Sequence, residues 1–159
     1  MNKQTRDKLV RVGLKPVAAA LAQRGVKGRT VTKLPAADPF AGTIALTVES
    51  CRAGSVLVAD LAAPAADRLR QRGIEIVSRR ELRGLRPEPG DGLLRDRDSL
   101  VVIPAALVEE VVEAAAEAVA FEEFTADQVA QGGGVYGLHI PTGDRARQAF
   151  AAWRRMKGR

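Results

Sequence analysis

Apolar residues recur at helical spacing from the start of the chain. Leu9, Val10, Leu14, Val17, Ala18 and Leu21 share one side of a helix over residues 5–24. Pro16 lies inside that run, and a proline removes an amide donor and crowds the preceding turn. The pattern therefore predicts two short helices broken near Lys15, the second closed by Gly25. Residues 26–37 are basic and loop-like, with Val31 and Leu34 as candidate strand positions. Residues 42–48 alternate β-formers, and residues 55–59 are nearly all apolar, the pattern of a strand buried on both faces. A helix is predicted from Pro64 to Arg72, stopped by Gly73, and then a strand from Ile74 to Val77. Residues 79–86 are polar and basic, a loop running into the turn Pro87-Glu88-Pro89-Gly90. A short gap follows Asp91, and residues 100–103 form the next apolar strand. Pro104 then opens the longest helix, to about Gln131. Leu107, Val108, Val111, Val112, Ala115 and Val119 make its apolar face, which Phe121, Phe124 and Val129 continue. Glu109 and Glu110 stand near its start, where the helix dipole favours acids.

These elements describe one α/β domain over 1–159. Its parts are a helical segment (1–25), a strand–helix–strand core (42–77), a strand with the long helix (87–131) and a basic tail (132–159). A chain of 159 residues is long enough to bury a sizeable core. Aromatics make up only 4% of it, so that core is built from Ala, Val, Leu and Ile. No run approaches the roughly 20 apolar residues of a spanning helix, and the first ten residues carry no signal-like apolar stretch. The expectation is a cytoplasmic protein with no membrane contact.

The single cysteine, Cys51, excludes an internal disulfide and reads as a small, half-buried residue between strands. His139 is the only histidine, which disfavours a structural zinc site, and next to Pro141 it reads as a loop residue. Gly132, Gly134 and Gly137 fit a dinucleotide fingerprint by letter. They follow a helix rather than a strand, so they read as a helix stop.

The net charge of +6 and pI near 10.1 raise nucleic acid as a partner. The charge is segregated, however. Bases load the first helix and the tail, while residues 104–143 carry seven acids and no Lys or Arg. Such a distribution can also join basic and acidic faces of neighbouring subunits. No aromatic-rich RNA-binding strand accompanies it, which leaves RNA binding a minor option.

Two clusters have chemical potential. Asp91, Asp96 and Asp98 can hold a hard divalent cation through oxygen, or can simply make a hydrated turn. Arg79 and Arg80 follow a strand end, where ligands of α/β folds gather. They can clamp a carboxylate or lie solvated in a basic loop.

The order of several stretches resembles one family, that of the regulator of ribonuclease activity A (RraA) and the 4-hydroxy-4-methyl-2-oxoglutarate aldolases. The stretches are Ala22-Gln23-Arg24-Gly25, the glycine-led strand from Gly42 to Thr47, and Cys51 through Asp60. The match is closest from Pro89-Gly90-Asp91 through Val101-Val102-Ile103-Pro104 and the acidic helix. Phe121-Glu122-Glu123-Phe124, Gly137-Leu138 with Pro141-Thr142, and Phe150-Ala151-Ala152-Trp153-Arg154 resemble the tail of longer members. The resemblance implies a compact β-barrel-like sandwich flanked by helices, RraA-like, usually a homotrimer. For the aldolase branch it also implies Mg²⁺ or Mn²⁺ polarising a 2-oxo acid, with pyruvate released.

The family's substrate-binding glycine loop and its Asp-Gly-x-x-Arg-Asp motif are missing from this sequence, and residues 60–87 are shorter than the family's middle region. No catalytic residue transfers. Two readings follow: a binding or assembly protein that has lost the lyase site and acts through a protein partner, or a metal-dependent lyase with a rebuilt site. In the second, Arg79 or Arg80 binds the substrate carboxylate, and Asp60, Glu81 or Asp91 stands near the metal.

Overall fold

A computed structural model describes residues 1–34, 44–48, 55–132 and 143–158. Cys51, His139, Gly134 and Gly137 lie outside the described residues. Helix α1 (Lys3–Val12) starts at Asn2, whose side chain accepts the Thr5 amide at 2.8 Å. It ends at Gly13, at φ 81°, and α2 (Leu14–Gln23) starts at once. The break is thus at Gly13 and not at Lys15. Pro16 is only the third residue of α2, where an amide has no intrahelical acceptor, so the ring is tolerated. Gly25 closes α2 as expected. The amides of Gly25 and Val26 donate to the carbonyls of Ala22 and Leu21, which a left-handed residue at that position makes possible. The same closure at Gly73 ends α3 (Ala63–Gln71).

Among the described residues, six strands form one mixed sheet in the order β1-β6-β5-β2-β3-β4. They are β1 (Thr30–Thr32), β2 (Ile44–Val48), β3 (Ser55–Val58), β4 (Glu75–Val77), β5 (Gly92–Arg95) and β6 (Ser99–Ile103). β2, β3 and β4 run parallel, and the other pairings are antiparallel. β2 and β3 share only the pairs Thr47–Ser55 and Val48–Val56, so β3 starts where β2 ends. That stagger removes the need for the crossover of a dozen residues that full parallel overlap demands. β5 occupies the stretch expected to be a gap, and all four of its residues are buried. A side chain at Gly92 would put Cβ 3.3 Å from Val108 Cγ2 and 3.5 Å from Ile103 Cβ. Glycine there lets the chain after β6 pass close over the sheet.

The helices before β1 and after β6 gather on one face. Leu9, Leu14, Val17 and Leu21 pack with Val111, Val112 and Ala115 over Ala45, Leu94, Val101 and Ile103. On the same face, α3 covers Leu57 and Ile76 through Ala66 and Leu69. The opposite face carries Val31, Val48, Val56, Val77, Leu93, Leu100 and Val102. Its cover is the one-turn helix α4 (Arg79–Leu82), whose Leu82 is fully buried, together with Leu34. α4 replaces the loop expected over 79–86. Arg83 Nη2 donates to the Lys33 carbonyl at 2.8 Å. This bond ties the segment beyond β4 to the segment beyond β1, although those strands are opposite edges of the sheet. The sheet is rolled around its second apolar face, with α4 closing that face and the longer helices outside.

A 3₁₀ turn (Ala105–Leu107) leads from Pro104 into α5 (Val108–Ala130). Twenty-three residues span roughly 34 Å, longer than the sheet needs. The first half of α5 packs on α1 and α2, and the second half receives α6 (Asp144–Met156), so much of the expected basic tail is helical. Phe121, Phe124, Phe150 and Trp153 form the contact, four of the chain's six aromatic residues. Val129 does not continue the apolar stripe, being half exposed. Among the described residues, no helix is long and apolar enough to cross a membrane.

Candidate functional site

The C-terminal ends of β3 and β4 bring together four of the residues singled out by sequence: Asp60, Arg79, Arg80 and Glu81. β3 and β4 pair in register from Val56–Glu75 to Val58–Val77, so the residues after each strand emerge side by side. Asp60 Oδ1 accepts the Arg79 amide at 3.0 Å. Ser78 and Glu81 form a reciprocal cap. Ser78 Oγ accepts the Glu81 amide at 3.2 Å, and Glu81 Oε2 accepts the Ser78 amide and hydroxyl at 2.8 Å each. The other oxygen of Glu81 faces Arg95 Nη2 at 2.9 Å. The guanidiniums of Arg79 and Arg80 are exposed, with no hydrogen bond or ion pair to another described residue.

Asp91 is placed elsewhere, at the start of β5, and is only 5% exposed. Its Oδ2 accepts the Glu88 amide at 3.0 Å and its Oδ1 the Ala105 amide at 2.9 Å. Arg29 Nη1 stands 3.9 Å from Oδ2. The carboxylate closes the 87–90 turn and caps the 3₁₀ turn after β6. Asp96 Oδ1 accepts the amides of Asp98 and Ser99 at 2.9 and 2.7 Å, the hydrated-turn alternative of the sequence reading.

Arg95 escaped the sequence reading. It ends β5 on the inner face of the rolled sheet, 3% exposed, opposite a Glu81 that is 16% exposed. Its one signal was a charge at the end of an apolar run, in a segment too short to read as a strand. A groove of about 420 Å³ between α1, α5 and the end of α6 is lined by none of the candidate residues. There, Lys8 Nζ contacts Glu113 at 2.6 Å, and Arg24 Nε contacts Glu110 at 2.8 Å nearby. Part of the acidic helix is therefore matched by bases of the same chain.

A divalent metal of the kind the resemblance implies needs several oxygen donors converging with open lone pairs. Among the described residues no group of three His, Cys, Asp or Glu is so placed. The donors of Asp91 and Glu81 already accept hydrogen bonds or face a cation. The described residues do not fit the metal.

No protein-family model matches the sequence, and neither does any curated protein. Two solved structures share the architecture. An uncharacterized protein from Pseudomonas syringae pv. tomato is 15% identical with a TM-score of 0.61, the match covering 93% of this chain and 94% of that one. RraAS2 of Streptomyces coelicolor, an unusual member of the RNase ES inhibitor RraA protein family, is 18% identical with a TM-score of 0.57. That match covers 79% of this chain and 97% of RraAS2. The chain has an RraA-like fold. Within the RraA-like fold, the rolled sheet, the staggered β2–β3 pair and the long helix after Pro104 set where the candidate residues lie. At these identities the likeness speaks for the fold alone, and fold does not fix chemistry.

Proposed function

We propose that this RraA-like chain is a binding or assembly protein that acts through protein contacts, without a metal-dependent lyase site. One observation carries the reading. The carboxylates that a lyase would use to hold its metal serve the fold instead: Asp91 as a turn and helix cap, Glu81 as a cap and ion-pair partner, Asp60 as the acceptor for the Arg79 amide. RraAS2 belongs to a family of RNase ES inhibitors, and inhibition of an enzyme by a second protein is a contact function of the same class. The homotrimeric assembly that the resemblance implies and the cytoplasmic setting expected from the sequence belong to this proposal.

The competing reading has one point in its favour. Arg79 and Arg80 follow the end of a parallel strand and meet no described partner through their guanidiniums, a place suited to a carboxylate. The test is pyruvate release from oxaloacetate and from 4-hydroxy-4-methyl-2-oxoglutarate, with Mg²⁺ or Mn²⁺ and again with EDTA, on folded protein. No turnover above the metal-only blank is expected. Metal-dependent turnover that falls in Arg79→Ala/Arg80→Ala would establish a rebuilt lyase site and overturn the proposal.

A further inference from the structure

The segment that covers the inner face of the sheet is strongly cationic. Arg79, Arg80, Arg83 and Arg86 occur within eight residues, and all four are exposed. The Arg83–Lys33 bond adds a fifth cation, the exposed Lys33, from the far edge of the sheet. Of the acids nearby, Glu81 is turned inward to Arg95 and Asp60 holds the Arg79 amide, while Glu88 beside Arg86 and Asp98, whose carbonyl accepts the Leu34 amide next to Lys33, are exposed and outnumbered by the five bases. The side chains of Arg79, Arg80, Arg86 and Lys33 meet no described partner. The Ser78–Glu81 cap and the buried Leu82 hold the short helix that carries Arg79 and Arg80.

Lys33 and Arg83 are the non-glycine residues of left-handed backbone among those described, at φ 56° and 46°. A side chain there is strained, and glycine would avoid the strain. The loop that Asp60 ties to the Arg79 amide exposes the next residue, Leu61, 40% accessible and one of the few large apolar side chains at the surface among the described residues.

We infer that this surface docks an acidic, leucine-containing segment of a protein partner. Guanidinium forks suit carboxylates and phosphates alike. The exposed leucine decides between them, because an apolar anchor complements a peptide side chain and offers nothing to a phosphate backbone. No aromatic ring among the described residues of the patch provides a base-stacking platform either. The inference rests on the protein-contact reading and specifies its surface.

The experiment is fluorescence anisotropy with a labelled synthetic peptide of alternating Glu and Leu. Controls are its Glu→Gln and Leu→Ser counterparts and a labelled single-stranded RNA of equal charge. The expected result is binding of the Glu/Leu peptide that weakens with salt, falls at least about tenfold in Arg79→Glu/Arg80→Glu, and falls several-fold in Leu61→Ser. Both variants should keep the far-UV spectrum and melting temperature of the parent, since the altered side chains are exposed. Absence of peptide binding by folded protein overturns the inference. So does equal binding to the Glu→Gln peptide, preference for the RNA, or self-association of the chain abolished by the same substitutions, which would make a second copy the occupant. None of these outcomes bears on pyruvate release, so this inference and the functional reading fail separately.

Discussion

Asp91 and Asp98 lie close in sequence, yet the structure gives their side chains unequal work. Asp91 is buried and accepts two backbone amides that no other side chain serves, while the Asp98 carboxylate is exposed and makes no described contact. Asp91→Ala leaves the Glu88 and Ala105 amides without their acceptor and should cost about 2–3 kcal/mol in urea unfolding. Asp98→Ala should stay within about 0.5 kcal/mol. A metal site would instead make both changes weaken a Mg²⁺-dependent rise in melting temperature, and no such rise is expected. Glu81 offers a cleaner separation, because its two oxygens do different things. Glu81→Gln preserves the capping geometry, since an amide oxygen can accept the Ser78 amide, but removes the charge opposite the buried Arg95. A loss of about 3 kcal/mol is expected, most of it the cost of a buried guanidinium facing a neutral group. A loss under about 0.5 kcal/mol would mean that Arg95 is held chiefly by something other than Glu81.

Helix α6 docks on the second half of α5. It reaches the rest of the molecule through Phe150 and Trp153 against Phe121 and Phe124, with ring centroids 5.4–5.9 Å apart across the contact. The Trp153 indole N–H also donates to Asp127 at 2.8 Å. That bond, followed by the one from Lys157, holds the Asp127 carboxyl below its ordinary range. A carboxyl more acidic when docked than when free favours docking fully above its free value, about 4, and the contribution is lost as pH falls through the docked value. Emission from Trp153, the only tryptophan, should therefore shift toward that of an exposed indole as pH drops below about 4, before the sheet unfolds. Asp127→Asn should abolish that pH step, and a step of unchanged size would assign it to another group. The helix itself was hidden in the sequence, because two aromatics among many bases read as tail. α4 was legible in principle, since Ser78-x-x-Glu81 is a capping box, but four arginines drew the eye to a loop. β5 was not legible: Gly92-Leu93-Leu94-Arg95 is too short for periodicity and is a strand only because β2 and β6 flank it. Gly13 and Pro16 show the same limit, as both are helix breakers and only position within the turn decides between them.

At the scale of the molecule, the order of stretches around Pro89 to Pro104 carried the fold, because a tight turn, a buried strand and a proline-led helix leave few ways to pack. The site was not carried in the same way. Asp60, Arg79, Arg80 and Glu81 do converge, but which carboxylate oxygens remain open depends on amides and a buried arginine that no spacing rule reveals. Assembly is the property where these levels meet. The segregated charge suggested basic and acidic faces of neighbouring subunits, yet Glu110 and Glu113 pair with Arg24 and Lys8 of their own chain. Fewer acids of α5 are left to hold a neighbour. The trimer we propose must then rest on apolar and backbone contacts more than on ion pairs, and this makes it testable by salt. Light scattering at micromolar concentration should give three times the 17.0 kDa chain mass. The mass should persist in about 0.5 M salt, where the screening length is only ~4 Å. A compact monomer at both ionic strengths would remove the assembly proposal. A trimer that dissociates in salt would return the interface to the charged faces, with Glu109, Glu117 and Glu122, which meet no described partner, as the acids to reverse first.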